Sequence, residues 1–387
     1  MKIVTTGDWH LHNFTDFSKT LIVKWDTQIL RYRIVEENPE DLDIKPMNSR
    51  LFNILNGICD IRDYCMKCNI QEVLFSGDMF HHRGTLDVNV LNATYKVLNS
   101  FQMMQIVVHA ISGNHDDVDN SIVPTTALHS LEDVMHVIEQ PELFHTSDST
   151  EVVAIPYSKD KQFVLNSMKK LREQCKDPRS AILLCHIGIS GGVVGSGMYA
   201  MNDEYTLHDL MYDKWKYLVA GHYHQPQMLA HNSFYCGTPV QNNFGDERKG
   251  NEPYNGFFVI DTDKRWDIQF VPIIAPRFIT VSTAQELEEL GSEVIKNNYV
   301  RVKSSAEHAS ELSDKVTELL GDDTKEVRLE LEKDYSVDHR SDVSVTQSYS
   351  DSVKTYAKER WENPDNLTYA TDIGLSILSE AMTGGTK

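Results

Sequence analysis

No apolar run in this 387-residue chain approaches membrane-spanning length, and its start, MKIVTTGDWH, lacks the apolar stretch of a signal peptide. On these absences no membrane-spanning helix is expected, and a cytoplasmic protein is. Cysteine is scarce. The six present, at 59, 65, 68, 175, 185 and 236, are not spaced as a disulfide framework and read as reduced thiols. Cys65-Met66-Lys67-Cys68 is a lone CxxC with no second pair, so its spacing is coincidence rather than a zinc signature. Positive charge is short as well: 37 Lys and Arg against 57 Asp and Glu leave a formal net charge of −20. Simple nucleic-acid binders are basic, because phosphate contacts supply most of their affinity. A chain of this charge that handles DNA needs bound metal or a partner subunit to supply the missing sign. There is no internal repeat and no low-complexity segment.

What is present is histidine, unevenly spread. Fourteen of sixteen lie at or before His231. Up to about residue 272 the chain alternates short β-branched runs with helical stretches. Strands are expected at 2–6, 72–75, 106–111, 152–155, 181–185, 217–220, 233–236 and 257–261, and helices at 46–66, 86–104 and 160–174. This is an α/β pattern with a β-rich later half, which predicts mixed sheets rather than one parallel sheet. Near Pro276 the character changes. Strands at 278–282, 299–302 and 326–331 alternate with helices at 284–296 and 306–320, as in a small separate α+β unit. Residues 335–348 are polar and irregular, as a linker would be, and two short helical patterns follow, split by Asn363-Pro364-Asp365.

The chemistry gathers where apolar runs end. VTTGDWH puts Asp8 and His10 just past the first strand, and VLFSGDMFH puts Asp78 past the second, with His81 three residues on. HAISGNHDD puts Asn114 and His115 past the third; ILLCHIG ends in His186; LVAGHYHQP carries His222 and His224. Residues i and i+2 of extended chain point to one side, so the last pair is expected to converge on one point. Strand carboxyl ends are where α/β sheets build sites. Taken singly, each signal is bland: a GD after a strand is a turn, and lone histidines are satisfied polar residues. His12, His82, His109, His129, His136 and His145 are left in that class. The ordered set is another matter. Carboxylate, amide oxygen and imidazole together suit Mn²⁺ or Fe²⁺ above all, with Zn²⁺ and Mg²⁺ as alternatives. Asp8, His10, Asp78, Asn114, His186, His222 and His224 are too many for one ion with an open position, and suit two ions about 3.5–4 Å apart sharing a carboxylate.

GDWH, SGDMF, GNHD, CHIG and GHYH, in this order, resemble the calcineurin-like metallophosphoesterase superfamily. Within it the chain resembles the SbcD branch, the nuclease subunits of SbcCD double-strand-break repair complexes and their bacteriophage counterparts. SGDMFHHRG has that branch's GD-x-F-H form where protein phosphatases carry GD-x-x-D-R-G, and YCGTPVQNNFGDERKGNEPYNGFFVID follows its later pattern. The likeness covers about residues 1–275; the segment 13–47 matches nothing, and His12 stands where the family commonly has glycine. The resemblance implies an α/β/β/α sandwich of two mixed sheets (1–275), a small α+β capping domain that contacts DNA (276–334), a linker (335–350) and a C-terminal helical segment (351–387). It implies that Asp8, His10 and His224 hold one ion and Asn114, His186 and His222 the other, with Asp78 bridging. His115 would stabilise or protonate the leaving 3′-oxygen, with His81 close by and helping to position metal or phosphate.

The function implied is a metal-dependent DNA nuclease, an exonuclease on duplex ends and an endonuclease on single strands or hairpins. It would act with an SbcC-like coiled-coil ATPase in the cytoplasm, that of a bacterial host if the gene is a bacteriophage's. The chain has no GxxxxGK[ST] loop of its own. Two dications change the net charge only to −20 + 4 = −16, so basic surface for DNA is expected from the partner. The alternatives are a phosphatase or small-nucleotide phosphodiesterase on the same core, disfavoured by the missing D-R-G, and a non-catalytic scaffold, disfavoured because no ligand is missing. Helix 86–104 carries two apolar stripes, and the outer one (Val88, Leu91, Tyr95, Leu98) is covered either by segment 13–47 or by its twin in a homodimer. The helical pair at 351–382 is too short to stand alone and is assigned to docking on the ATPase.

Overall fold

A computed structural model describes residues 1–38, 40–119, 121–195, 199–201, 205–248, 255–304, 309–320 and 327–331, together with 354, 356–358, 367–368 and 371–375. The chain divides into two compact units, Met1–Leu331 and Glu332–Lys387. The linker expected at 335–348 lies outside the described residues, as does most of the helical pair at 351–382, of which only short helical pieces are described. Among the described residues no helix is long and apolar enough to cross a membrane.

The first unit is built on two six-stranded mixed sheets. In one, parallel strands Lys2–Thr6, Glu72–Phe75, Val107–Ile111 and His136–Ile138 are extended by Gly256–Asp261, antiparallel to Lys2–Thr6, and then by Ile268–Pro272, antiparallel in turn to Gly256–Asp261. In the other, parallel Glu151–Ile155, Ile182–His186, Tyr217–Gly221 and Ser233–Tyr235 are flanked by antiparallel Glu142–His145 and Gln227–Ala230. The period of two decides the layers. Ile3, Leu74, Ile111, Leu184 and Val219 point into a core between the sheets. Their neighbours Val4, Val73, Phe75 and Val108 pack under helices α1 (Ser49–Cys68) and α2 (Val88–Met103), and Leu183 and Leu218 under α3 (Lys161–Arg172). Each sheet is therefore covered on both faces, which is why its central strands read as unbroken apolar runs.

Three local expectations are corrected. The helix expected from residue 46 starts at Ser49, because Pro46 lies in strand Ile44–Asn48 and Asn48 caps the helix through the Arg50 and Leu51 N–H groups. That strand is an edge, where a missing N–H is tolerated. The segment that matches nothing forms a three-stranded antiparallel sheet, Thr20–Asp26, Arg31–Ile34 and Ile44–Asn48, packed on α1 and not on the outer face of α2. Buried Arg62 of α1 ties it down, donating to the Leu30 and Ile29 carbonyls and to Ser100 Oγ. Val88, Tyr95 and Met103 of α2 stay 67, 39 and 61% exposed. Leu98, read as part of that outer stripe, is instead fully buried, because α2 packs on α1 as well as on its sheet.

Beyond residue 276 a three-stranded parallel sheet, Phe278–Val281, Tyr299–Ser304 and Val327–Leu331, carries α4 (Ala284–Lys296) and α5 (Ala309–Leu320) over a core of its own around Leu287, Ile295, Val300 and Leu312.

Candidate metal centre

The parallel strands of each sheet end at the same edge, and the two edges meet. Backbone bonds zip the first two strand ends together: Ser76 N–H donates to Thr6 O, Asp8 N–H to Gly77 O at 2.8 Å, and His10 N–H to Asp78 O at 3.1 Å. Asp8, His10, Asp78 and His222 all have φ between 48 and 114°, a region that L residues avoid. Four such residues at one edge mark strain concentrated where side chains must be aimed. Gly77 and Gly113 have no space for a Cβ: one would strike His186, the other the Asp78 carboxylate.

The strand-end residues fall into neighbouring donor groups. Asp8, His10 and His224 form one, with His10 Nε2 and His224 Nε2 facing each other at 2.9 Å. In the other, Asn114 Oδ1 lies 3.1 Å from His186 Nε2 and 3.0 Å from His222 Nδ1. His222 and His224 therefore face two neighbouring points and not one, because the strand ends at Gly221 and the left-handed φ of His222 turns its ring aside. Between the groups stands Asp78, whose Oδ2 is 3.5 Å from both His10 Nε2 and His186 Nε2. Its Oδ1 accepts the His115 N–H at 2.8 Å. His115 Nδ1 donates to the His81 carbonyl at 2.6 Å, and the His81 ring stacks on His115. His10, His81 and His115 also bring ring nitrogens together.

The donor set fits cations. Two nitrogens each ~2.1 Å from one ion lie about 3 Å apart at a right angle, the spacing at which His10 and His224 meet. His10 Nδ1 and His81 Nδ1 are buried without a hydrogen-bond partner. Burial pushes the Asp8 carboxyl up to about 6 against the pull of His186. Burial works against charge on His186 and His224 too, yet Asp78 and Asp246 beside them push these imidazoles up to about 9. Burial lowers His222 and His81 to about 4, with His186 and His115 adding repulsion. Buried carboxylates that hold protons on adjacent imidazoles call for positive charge, which a divalent ion supplies in the protons' place. A cleft of about 210 Å³ opens on His222, His224 and Asp246.

Around these groups stand residues to which the motifs assigned no role. Asp246 accepts from His224 Nδ1 at 3.0 Å, and the Ser76 carbonyl accepts from His186 Nδ1 at 2.7 Å, so both rings turn Nε2 to the site. Buried Asp116 accepts from Phe80 N–H and Gly113 N–H, both at 2.9 Å, binding the second strand end to the third. The acidic fourth position of GNHD was the available signal for it. Of the histidines left aside, His109 meets Glu72 and His136, His129 meets Glu139, and His145 faces Glu151. His12 and His82 face one another at 3.1 Å on the site's rim.

The chain is similar to exonuclease subunit 1 of Enterobacteria phage T4, 26% identical over 280 residues that make up 70% of this chain and 68% of that one. Among solved structures it is similar to a dimetal phosphatase from Danio rerio, at 11% identity and a TM-score of 0.35, over 67% of this chain and 91% of that chain. With the strand-end aspartates, asparagine and histidines gathered between two mixed sheets, and with the calcineurin-like phosphoesterase family model matching residues 1–226, this protein belongs to the calcineurin-like phosphoesterase family.

Proposed function

We propose that this protein is a metal-dependent DNA nuclease that hydrolyses phosphodiesters at a dinuclear centre. Members of its family use a dinuclear metal site, and the chain brings His and Asp donor groups together for one. The proposed ligands are Asp8, His10 and His224 for one ion and Asn114, His186 and His222 for the other, with Asp78 shared and Mn²⁺ the favoured metal. The observation that carries this reading is the place of Asp78 Oδ2, equidistant at 3.5 Å from one nitrogen of each group. The ions would supply Lewis acidity and lower the pKa of bound water.

The chain's own residues do the rest. With Nδ1 committed to the His81 carbonyl, His115 offers Nε2 to the leaving 3′-oxygen. As the P–O3′ bond breaks, that oxygen takes the proton carried on His115 Nε2, while the attacking water forms the new P–O bond and gives up its own proton to solvent, from which His115 is reprotonated. His81 positions His115 through its carbonyl and its stacked ring. DNA as substrate is supported by the likeness to a protein named an exonuclease subunit. The word subunit also supports a partner, assigned here to an SbcC-like ATPase docked on residues 351–382. Residues 276–334 act as the DNA-contacting cap, 335–350 as a linker, and the exposed face of α2 as a homodimer contact. The site of action is the cytoplasm.

The test is digestion of end-labelled linear duplex and hairpin DNA with Mn²⁺, with and without the ATPase, beside turnover of p-nitrophenyl phosphate. Metal-dependent cleavage of DNA, stimulated on duplex ends by the partner and ATP, is expected. Fast turnover of the monoester with intact DNA would instead establish a phosphatase.

A further inference from the structure

The short stretch Gln241-Asn242-Asn243-Phe244-Gly245-Asp246-Glu247 touches the candidate metal centre on one side and the 278–331 sheet on the other. Phe244–Asp246 is a single 3₁₀ turn closed by a reciprocal cap: Asn243 Oδ1 accepts the Gly245 N–H at 2.6 Å, and Asp246 Oδ2 accepts the Asn242 and Asn243 N–H groups at 2.7 and 3.3 Å. The second oxygen, Oδ1, accepts from His224 Nδ1, so one buried carboxylate is fixed by the turn and in turn fixes the imidazole. The Asn242 side chain reaches the other way, donating to Asp8 O at 3.2 Å.

The opposite side of the same turn is bolted to the strand Phe278–Val281 in three ways. Gln241 Oε1 accepts the Phe278 N–H at 2.6 Å, while its Nε2 donates to Asp246 O at 3.0 Å. Glu247 accepts from Thr280 twice, from N–H at 2.6 Å and from Oγ1 at 2.5 Å. The Phe244 ring meets Phe278 edge-on at 4.8 Å and lies 4.0 Å under the Arg301 guanidinium. Consecutive residues thus face opposite ways, Asp246 toward His224 and Glu247 toward the sheet. A turn this short and this fully hydrogen-bonded cannot shift at one end and stay still at the other.

We propose that Asp246 is the positioning residue for the metal ligand His224, and that the 241–247 turn couples the placement of the 278–331 sheet to that ligand. Substrate pressing on the sheet would then act on the metal centre through Glu247, Phe244 and Asp246. The inference rests on the reading of His224 as a ligand, and the experiment separates the two.

Mn²⁺ affinity and stoichiometry are measured by calorimetry, and the visible spectrum is recorded with Co²⁺ in place of Mn²⁺, for the wild type, Asp246→Asn, Asp246→Glu, Glu247→Ala and Thr280→Val. Asp246→Asn is expected to weaken one of the two ions by about 10–100-fold and to alter the Co²⁺ spectrum, the usual scale for removing an outer carboxylate. Asp246→Glu should recover part of the loss. Glu247→Ala and Thr280→Val, which touch nothing in the centre, should weaken the same ion by a smaller factor. A wild type that binds no metal overturns the ligand reading itself. Two ions bound by Asp246→Asn with unchanged affinity and spectrum overturn the positioning role, and with it the coupling, and leave the ligand reading standing. Loss in Asp246→Asn with neither Glu247→Ala nor Thr280→Val affected overturns the coupling. Should Asp246→Asn not fold, Glu247→Ala and Thr280→Val with the Co²⁺ spectrum still decide it.

Discussion

Asp78→Asn is the sharpest perturbation of the centre. Asp78 Oδ2 stands 3.5 Å from both His10 and His186, and Oδ1 accepts the His115 N–H at 2.8 Å. Asparagine has the same shape and still offers that N–H an acceptor, so the fold is expected to survive. What disappears is one full negative charge at the junction of the donor groups. Two dications about 4 Å apart repel by ~16 kcal/mol at an effective dielectric near 20, four times the unit-charge figure. A shared carboxylate, closer to each ion than they are to each other, offsets that repulsion; an amide does not. The variant is therefore expected to hold at most one ion, with the second weakened by about 100-fold or more. Metal content after dialysis against Mn²⁺, by elemental mass spectrometry, reads this directly, with a thermal melt of the metal-free protein as the folding control. Two ions retained at wild-type affinity in a folded Asp78→Asn would refute the shared-carboxylate reasoning.

His115→Ala should keep both ions while DNA hydrolysis falls by ~10²–10⁴-fold, the usual worth of a positioned proton donor; loss of metal would show that it is a ligand instead. Because the protonated forms of His186 and His224 persist up to about 9, metal must displace those protons, and Mn²⁺ affinity should rise steadily from pH 6 to 8. Calorimetry in buffers of different ionisation enthalpy checks it, and a flat profile without proton release would contradict it. Val88→Glu with Tyr95→Glu, both on the exposed face of α2, should give a folded monomer by sedimentation, and an unchanged dimer would rule that face out. Leu98 is unsuitable for this test, because charging a fully buried residue would unfold the protein. Truncation after Ser348 should spare manganese-dependent cleavage of single strands yet abolish co-purification of the ATPase; full recovery of the partner would assign the tail to the fold.

Much of the arrangement at the strand ends was legible because its parts obey short-range rules. A strand that runs into a glycine step and a carboxylate, amide or imidazole announces itself within a few residues, as at Asp8, Asp78, Asn114 and His222, while His186 closes its apolar run with no glycine before it. The alternation Ile3 against Val4, or Leu74 against Val73, likewise states the two-faced burial of each strand before any sheet is built. Which residue types lie at the strand ends, and what chemistry they suit, is thus a local matter. How they divide is not. His222 and His224 part toward Asn114 and His10 because two sheets bring their edges together and a left-handed φ turns one ring aside. Asp246 stands behind His224 across 22 residues of chain, a separation no periodicity spans. Leu98 is covered by a second helix, and the unmatched segment folds over α1 through Arg62, since which apolar face finds which cover depends on packing between elements distant in sequence. Local rules aim side chains; convergence belongs to the stacking of the sheets.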